Sequence, residues 1–280
     1  MQLTAERLRA LNEISRNLRR TVVEMIYTAG SGHPGGSLSS VEIITALYLE
    51  KMKFDPRNPL DPRRDRFVLS KGHAAPTLYA MLAYLNVIPR SELLHLRKIG
   101  SRLQGHPDMK SVPGIEMSSG PLGLGLSVGA GMALAAKLNQ APYHTYVLLG
   151  DGEIQEGIIW EAVMTANKYK LNNLTAILDH NGVQLDGICD EIMPLGDVAA
   201  KFAAFGWRPF TCDGHDIASI LNALEEATSY REGPSIIIAK TVKGKGVSYM
   251  EGKNIWHGKK IDDHEYRQAV AEIGGISYAE

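Results

Sequence analysis

From residue 145 onward the chain alternates short, wholly apolar runs with longer segments of helical spacing, and this alternation restricts the fold more than any other feature. Residues 146–149, 174–179 and 235–240 read as strands with no polar face, while residues 158–169 and 216–230 place apolar side chains at helical intervals. A strand apolar on both sides must be covered on both sides, as in a parallel sheet with helices on both faces. The expectation is a single α/β domain over residues 1–280 with an extended C-terminal tail.

Upstream, Leu8, Leu11, Leu18, Val22, Met25 and Ile26 predict a first helix that stops at the glycines after residue 27. A second helix is predicted from Ser39 or Ser40, a short strand over residues 66–70 and another helix near Pro76. The run 122–136 is small and apolar, suited to close helix packing and shorter than the ~20 residues that span a bilayer. Lysine and arginine total 30 against 31 acids, and this near balance provides no field to draw in nucleic acid or an anionic membrane. Cys189 and Cys212 form neither a disulfide framework nor a close-set metal site, and the amphipathic N-terminus lacks an apolar signal core. A reducing, cytoplasmic compartment is expected.

The chemistry is concentrated where strands end. Residues 148–157 read LLGDGEIQEG, which sets Asp151 between two glycines at the carboxyl end of a strand. The next strand ends in Asp179-His180-Asn181-Gly182-Val183. Asp151 and Asn181, with a backbone carbonyl close after Asn181, supply hard oxygen donors of the kind Mg²⁺ prefers. Because Mg²⁺ needs roughly six ligands and takes the remainder from water and phosphate, this half-built set points to a diphosphate. Seen singly, Asp-Gly and Asn-Gly are more often a helix cap and a turn.

Gly150-Asp151-Gly152, Glu156-Gly157, Trp160-Glu161-Ala162 and Asn173-Leu174 followed by Asn181 resemble the thiamine diphosphate motif in the form carried by transketolases. The resemblance implies a parallel α/β thiamine diphosphate-binding fold. It places Asp151, Asn181 and the Val183 carbonyl on Mg²⁺, or another divalent cation such as Ca²⁺, with Gly152 and Glu153 at the cofactor. Four loop histidines also resemble transketolase segments: His33 in Ser-Gly-His-Pro-Gly, His73 in Lys-Gly-His-Ala, His106 in Gly-His-Pro-Asp and His257 in Trp-His-Gly. By the resemblance they are catalytic. His33, His106 and His257 meet the sugar, and His73 and His257 touch the cofactor. Gly120, Pro121 and Leu122 resemble a loop that meets the cofactor rings, and Lys240 resembles a lysine near it. Lys243 and Lys245 are expected in solvent, and His95, His144, His180, His215 and His264 carry no matching motif.

The resemblance extends over nearly the whole chain but only over the first domain of a full transketolase. It implies transfer of a two-carbon ketol unit from a ketose, or ketose phosphate, to an aldose acceptor. The pyrimidine-binding and C-terminal domains would come from a separate C-terminal subunit, the two chains forming an α2β2 heterotetramer that is inactive without the partner. Alternatives are the α subunit of a 2-keto acid decarboxylating enzyme, a Rossmann-like nucleotide module and a non-catalytic interaction subunit. The nucleotide module lacks its G-x-G-x-x-G signature here. Lys259-Lys260 after His257-Gly258, where the family soon has proline, and Gly36-Ser37 after Pro34-Gly35 depart from the family pattern and bear on which sugar is taken.

Overall fold

The computed structural model describes residues 3–279. Its centre is a sheet of β1 (Arg66–Leu69), β2 (Thr145–Gly150), β3 (Leu174–His180), β4 (Arg208–Asp213) and β5 (Ser235–Lys240), in the spatial order β1-β2-β3-β5-β4. Every pairing is parallel, as the apolar strands predict. Ahead of β1 lie α1 (Ala5–Ala29), α2 (Pro34–Leu38) and α3 (Val41–Ala46). Between β1 and β2 come α4 (Ala75–Tyr84) and α5 (Leu124–Leu138), and α6 (Gly157–Lys168) joins β2 to β3. Then α7 (Cys189–Ile192) and α8 (Val198–Ala204) precede β4, α9 (Ile217–Ser229) joins β4 to β5, and α10 (Asp263–Ile273) follows.

Successive strand residues face opposite sides, so each strand feeds two cores. Leu148, Ile177 and Ile237 pack with α1, α3, α4 and α9. Val147, Leu149, Ala176, Leu178, Ile236 and Ile238 pack with α5, α6 and α8. Among the described residues, no helix is long and apolar enough to cross a membrane.

Local chemistry explains the element ends. α1 starts where Thr4 accepts from the Arg7 N–H and stops at Gly30, whose left-handed φ of 65° closes the helix through a bond to the Tyr27 carbonyl. α2 does not follow from the periodicity; it exists because Pro34, with φ already set, opens it. The helix expected from Ser39 or Ser40 begins at Val41, and the Ser40 hydroxyl donates back to the Gly36 carbonyl (2.8 Å) instead of capping it. β4 carries no apolar run because it is an edge strand, where Pro209 is tolerated. The segment 241–279 does not extend away from the domain: Tyr266 stacks on Tyr27 with ring centroids 4.1 Å apart, and the Tyr278 N–H donates to the Thr21 hydroxyl (2.8 Å). Register pairs Gly150 with Asp179 and His180 with Lys240, so β2, β3 and β5 end level along one edge of the sheet.

Candidate functional site

Along that edge lies a cleft of about 940 Å³, within the ~300–1,000 Å³ of small-molecule sites. Parallel sheets place ligands here because strand ends and the following turns converge at one edge.

At one end of the cleft the four loop histidines meet. Pro34 holds His33 out of helical geometry (φ −122°, ψ 78°) at the head of α2, and the three-residue turn Gly72–Ala74 carries His73 straight off β1. His106 comes from the loop between α4 and α5, and His257 ends the turn Asn254–His257. Ring centroids of His33 lie 5.5 Å from His73, 5.9 Å from His106 and 5.4 Å from His257, and those of His73 and His257 are 4.8 Å apart. Burial first, then neighbouring positive charge, holds these imidazoles neutral: His33 falls to about 4, His257 to about 3, and His73 and His106 also drop below the ordinary value. The buried Nδ1 of His33 has no hydrogen-bond partner among the described residues.

At the other end lie the oxygen donors. Asp151, fully buried, ties the end of β2 to the turn after β3: Oδ2 accepts from the N–H groups of Asn181 (2.8 Å) and Gly182 (2.6 Å). Its Oδ1 pairs with His180 Nδ1 at 2.6 Å, which raises the His180 pKa. Asn181 Oδ1 accepts from the Val183 N–H (3.1 Å), and the Val183 carbonyl accepts from Lys243 Nζ (3.1 Å). A carboxylate, an amide oxygen and a carbonyl retain lone pairs beyond these bonds, so the set fits a hard divalent cation. Among the described residues no group of three or more His, Cys, Asp or Glu side chains converges as a metal cluster.

Between the two ends stand two buried ammonium groups. Lys71 donates to Asp179 and to the Gly36 carbonyl (2.9 Å). Lys243, 3% exposed, donates to the carbonyls of Val183 and Gln184 and stands 3.2 Å from His257 Nδ1. An ammonium only donates, so that Nδ1 accepts and the proton of neutral His257 sits on Nε2. Burial first, then Lys71, lowers the Lys243 pKa to about 8. A Cβ on Gly36 would come within 2.9 Å of His73 Nε2, so glycine keeps the floor between these groups open.

His33, His73, His106, His257, Gly120, Leu122, Asp151, Gly152, Glu153, Asn181 and Val183 all line the cleft. Two candidates do not. Pro121 is exposed beside it, and Lys240 points to solvent from the last position of β5. Lys243, read from the sequence as solvated, is instead the lysine inside, because the turn after β5 folds back over Gly35. Glu153 faces the cleft wall but spends its oxygens on protein, accepting from the Ser70 hydroxyl and the N–H groups of Gly123 (2.9 Å) and Gly150 (3.1 Å). It therefore ties the loop ahead of α5 to the end of β2. Lys71 escaped the sequence reading; its one signal was its place just before Gly72-His73 at the end of a strand.

The family model described as "Transketolase, thiamine diphosphate binding domain" matches residues 11–278. One of the two chains named for the apulose-4-phosphate transketolase of Phocaeicola vulgatus is 44% identical over 92% of this chain and 92% of its own. The 6-deoxy-6-sulfo-D-fructose transketolase subunit SqwG of a Clostridium species is also 44% identical, over 91% of this chain and 93% of its own. The crystal structure of Campylobacter jejuni transketolase superposes with a TM-score of 0.91 at 33% identity, covering 99% of this chain. This chain spans 44% of that enzyme's length.

Proposed function

The chain belongs to the transketolase family, and on that premise we propose that it is the thiamine diphosphate-binding subunit of a two-chain transketolase. It moves a two-carbon ketol unit from a ketose to an aldose. The observation that carries the reading is the cleft itself, with neutral imidazoles in mutual contact at one end and oxygen donors flanked by buried ammonium groups at the other.

In this reading Asp151, Asn181 Oδ1 and the Val183 carbonyl hold Mg²⁺ or Ca²⁺. Lys71 and Lys243 balance the diphosphate, and Gly36 and Gly152 leave room for it. Gly120 and Leu122 border the rings. When bound, thiamine diphosphate supplies the electron sink that allows a carbon–carbon bond beside a ketone to break and re-form. The chain's own work is to bind, to keep water out and to move protons. Neutral His33 can take a hydroxyl proton at its unpaired Nδ1, and His257 can donate from Nε2.

A single thiamine diphosphate-binding domain over residues 1–280 would pair with a separate C-terminal subunit that carries the pyrimidine-binding and C-terminal domains, as an α2β2 assembly. The two 44%-identical relatives are both named as transketolase subunits, and this chain covers them almost end to end, which supports the split. Their substrates suggest a ketose with an anionic end, phosphate or sulfonate. Cys189 and Cys212 are free, buried thiols, which suits a cytoplasmic compartment. The test is recovery of the tagged chain from its native lysate with thiamine diphosphate and Mg²⁺ present. A second chain should come with it, and only the pair should transfer two-carbon units. Transfer by this chain alone, or recovery with neither partner nor bound cofactor, would overturn the reading.

A further inference from the structure

His215 carries no recognised motif and lies outside the cleft, yet both its ring nitrogens are committed. It sits in the turn between β4 and α9, where its own N–H donates to Asp213 Oδ1 (2.9 Å). Its Nε2 is 2.8 Å from the backbone N of Val242, the residue next to Lys243. Its Nδ1 is 3.0 Å from Glu42 Oε2. A backbone amide only donates, so Nε2 is the acceptor and the ring proton is on Nδ1, directed at the carboxylate.

Glu42, on α3 and 6% exposed, is itself fixed, because Oε1 accepts from Arg19 Nη2 of α1 at 2.6 Å. Burial opposes its ionisation, but Arg19 and His215 outweigh burial and hold the carboxyl below its ordinary range. The Arg19 stem also packs on the turn that follows Lys243: a Cβ on Gly246 would come within 2.6 Å of Arg19 Cδ. The segment 241–246 is thus held from the α1 and α3 side by a relay ending on one backbone N–H. From the sheet side the Thr241 hydroxyl donates to Asp179.

We propose that His215 is a positioning residue for Lys243: by accepting from the Val242 N–H while Glu42 and Arg19 fix its tautomer, it aims the Lys243 ammonium into the cleft. The inference rests on the reading of Lys243 as a diphosphate contact. An imidazole, unlike most side chains, can receive a carboxylate on one nitrogen and a backbone N–H on the other, and so transmit the position of α3 to the turn after β5.

The experiment is calorimetric titration of the full chain with thiamine diphosphate and Mg²⁺. His215→Ala and His215→Asn should each weaken binding about tenfold by leaving the Val242 N–H without its acceptor. His215→Gln, whose amide oxygen reaches the ε position, should stay within about twofold, and neither loss should persist in a Lys243→Ala background. A purely structural role predicts no rescue by Gln over Asn and the same loss with or without Lys243; either result overturns the proposal. If His215→Ala does not fold, the comparison of Asn with Gln decides. If Lys243→Ala, or the absence of binding by the unaltered chain, shows no diphosphate contact there, the reading of the cleft fails first, and the role of His215 with it.

Discussion

Lys71→Met tests how the floor of the cleft is held. The Lys71 side chain is 2% exposed and that of Asp179 is fully buried, so neither charge has water to fall back on. Asp179 also accepts from the Ser39 hydroxyl (2.6 Å), more distantly from Ser40 (3.4 Å), and from Thr241. Burial opposes its ionisation, and Lys71 with these hydroxyls still holds the carboxyl below its ordinary value. Removing one member of a buried ion pair costs about 3–5 kcal/mol. Methionine fills the lysine stem and the hydroxyl donors remain, so the expected loss is at the lower end, about 3 kcal/mol. At about 2–4 °C per kcal/mol for a chain in this size class, the melting point should fall by about 6–12 °C. Urea unfolding followed by tryptophan fluorescence provides the free energy directly. Adding Asp179→Asn removes the stranded charge and should restore about 2 kcal/mol of the loss. A single variant within about 1 kcal/mol of the parent, or a double variant no better than the single, would refute the view that Lys71 neutralises a buried carboxylate.

Gly72→Ala should cost about 1–3 kcal/mol, because its Cβ would lie 2.5 Å from Ser119 Oγ and 3.2 Å from the Gly120 N, which cannot yield without moving the loop at the cleft. The exposed mid-helix Gly131, with nothing within 4 Å of an added Cβ, is the control, and Gly131→Ala should instead stabilise by about 0.5–1 kcal/mol; thermal melts of both check the contrast. His33 titrates at about 4 when folded against roughly 6.5 when unfolded, so between those values the unfolded chain binds the extra proton. Stability should therefore be flat above about pH 6.5 and fall as pH drops through the window, by about 1–2 kcal/mol once partial exposure is discounted. Comparing urea midpoints of parent and His33→Asn at pH 7 and pH 5 tests this, and an equal drop in both would contradict it.

The parts of this protein legible in its sequence are those governed by near neighbours. Apolar periodicity marked β2, β3, β5, α6 and α9 because a residue's face depends on spacing alone, and Gly30 ended α1 because only glycine enters the left-handed turn without strain. Asp151 was visible because glycines on both sides of an acid at a strand end serve few purposes other than close approach to a ligand. Burial decided the rest, and burial is a property of the whole chain. Lys240 and Lys243 are three residues apart and chemically alike; one ends an exposed strand edge while the other is folded under Gly35 and beside His257. No local pattern separates them, since their difference comes from α2 and the turn at 254–257 packing against the segment between. The same holds for β4, an edge strand with a proline and little apolar content, and for His215, whose partners Glu42 and Val242 lie far from it in sequence on either side. The sequence by itself determined the layered sheet and the residues able to do the chemistry. Tertiary structure alone decided which of the charged groups lost their water, because desolvation is set by contacts between segments that share no sequence neighbourhood.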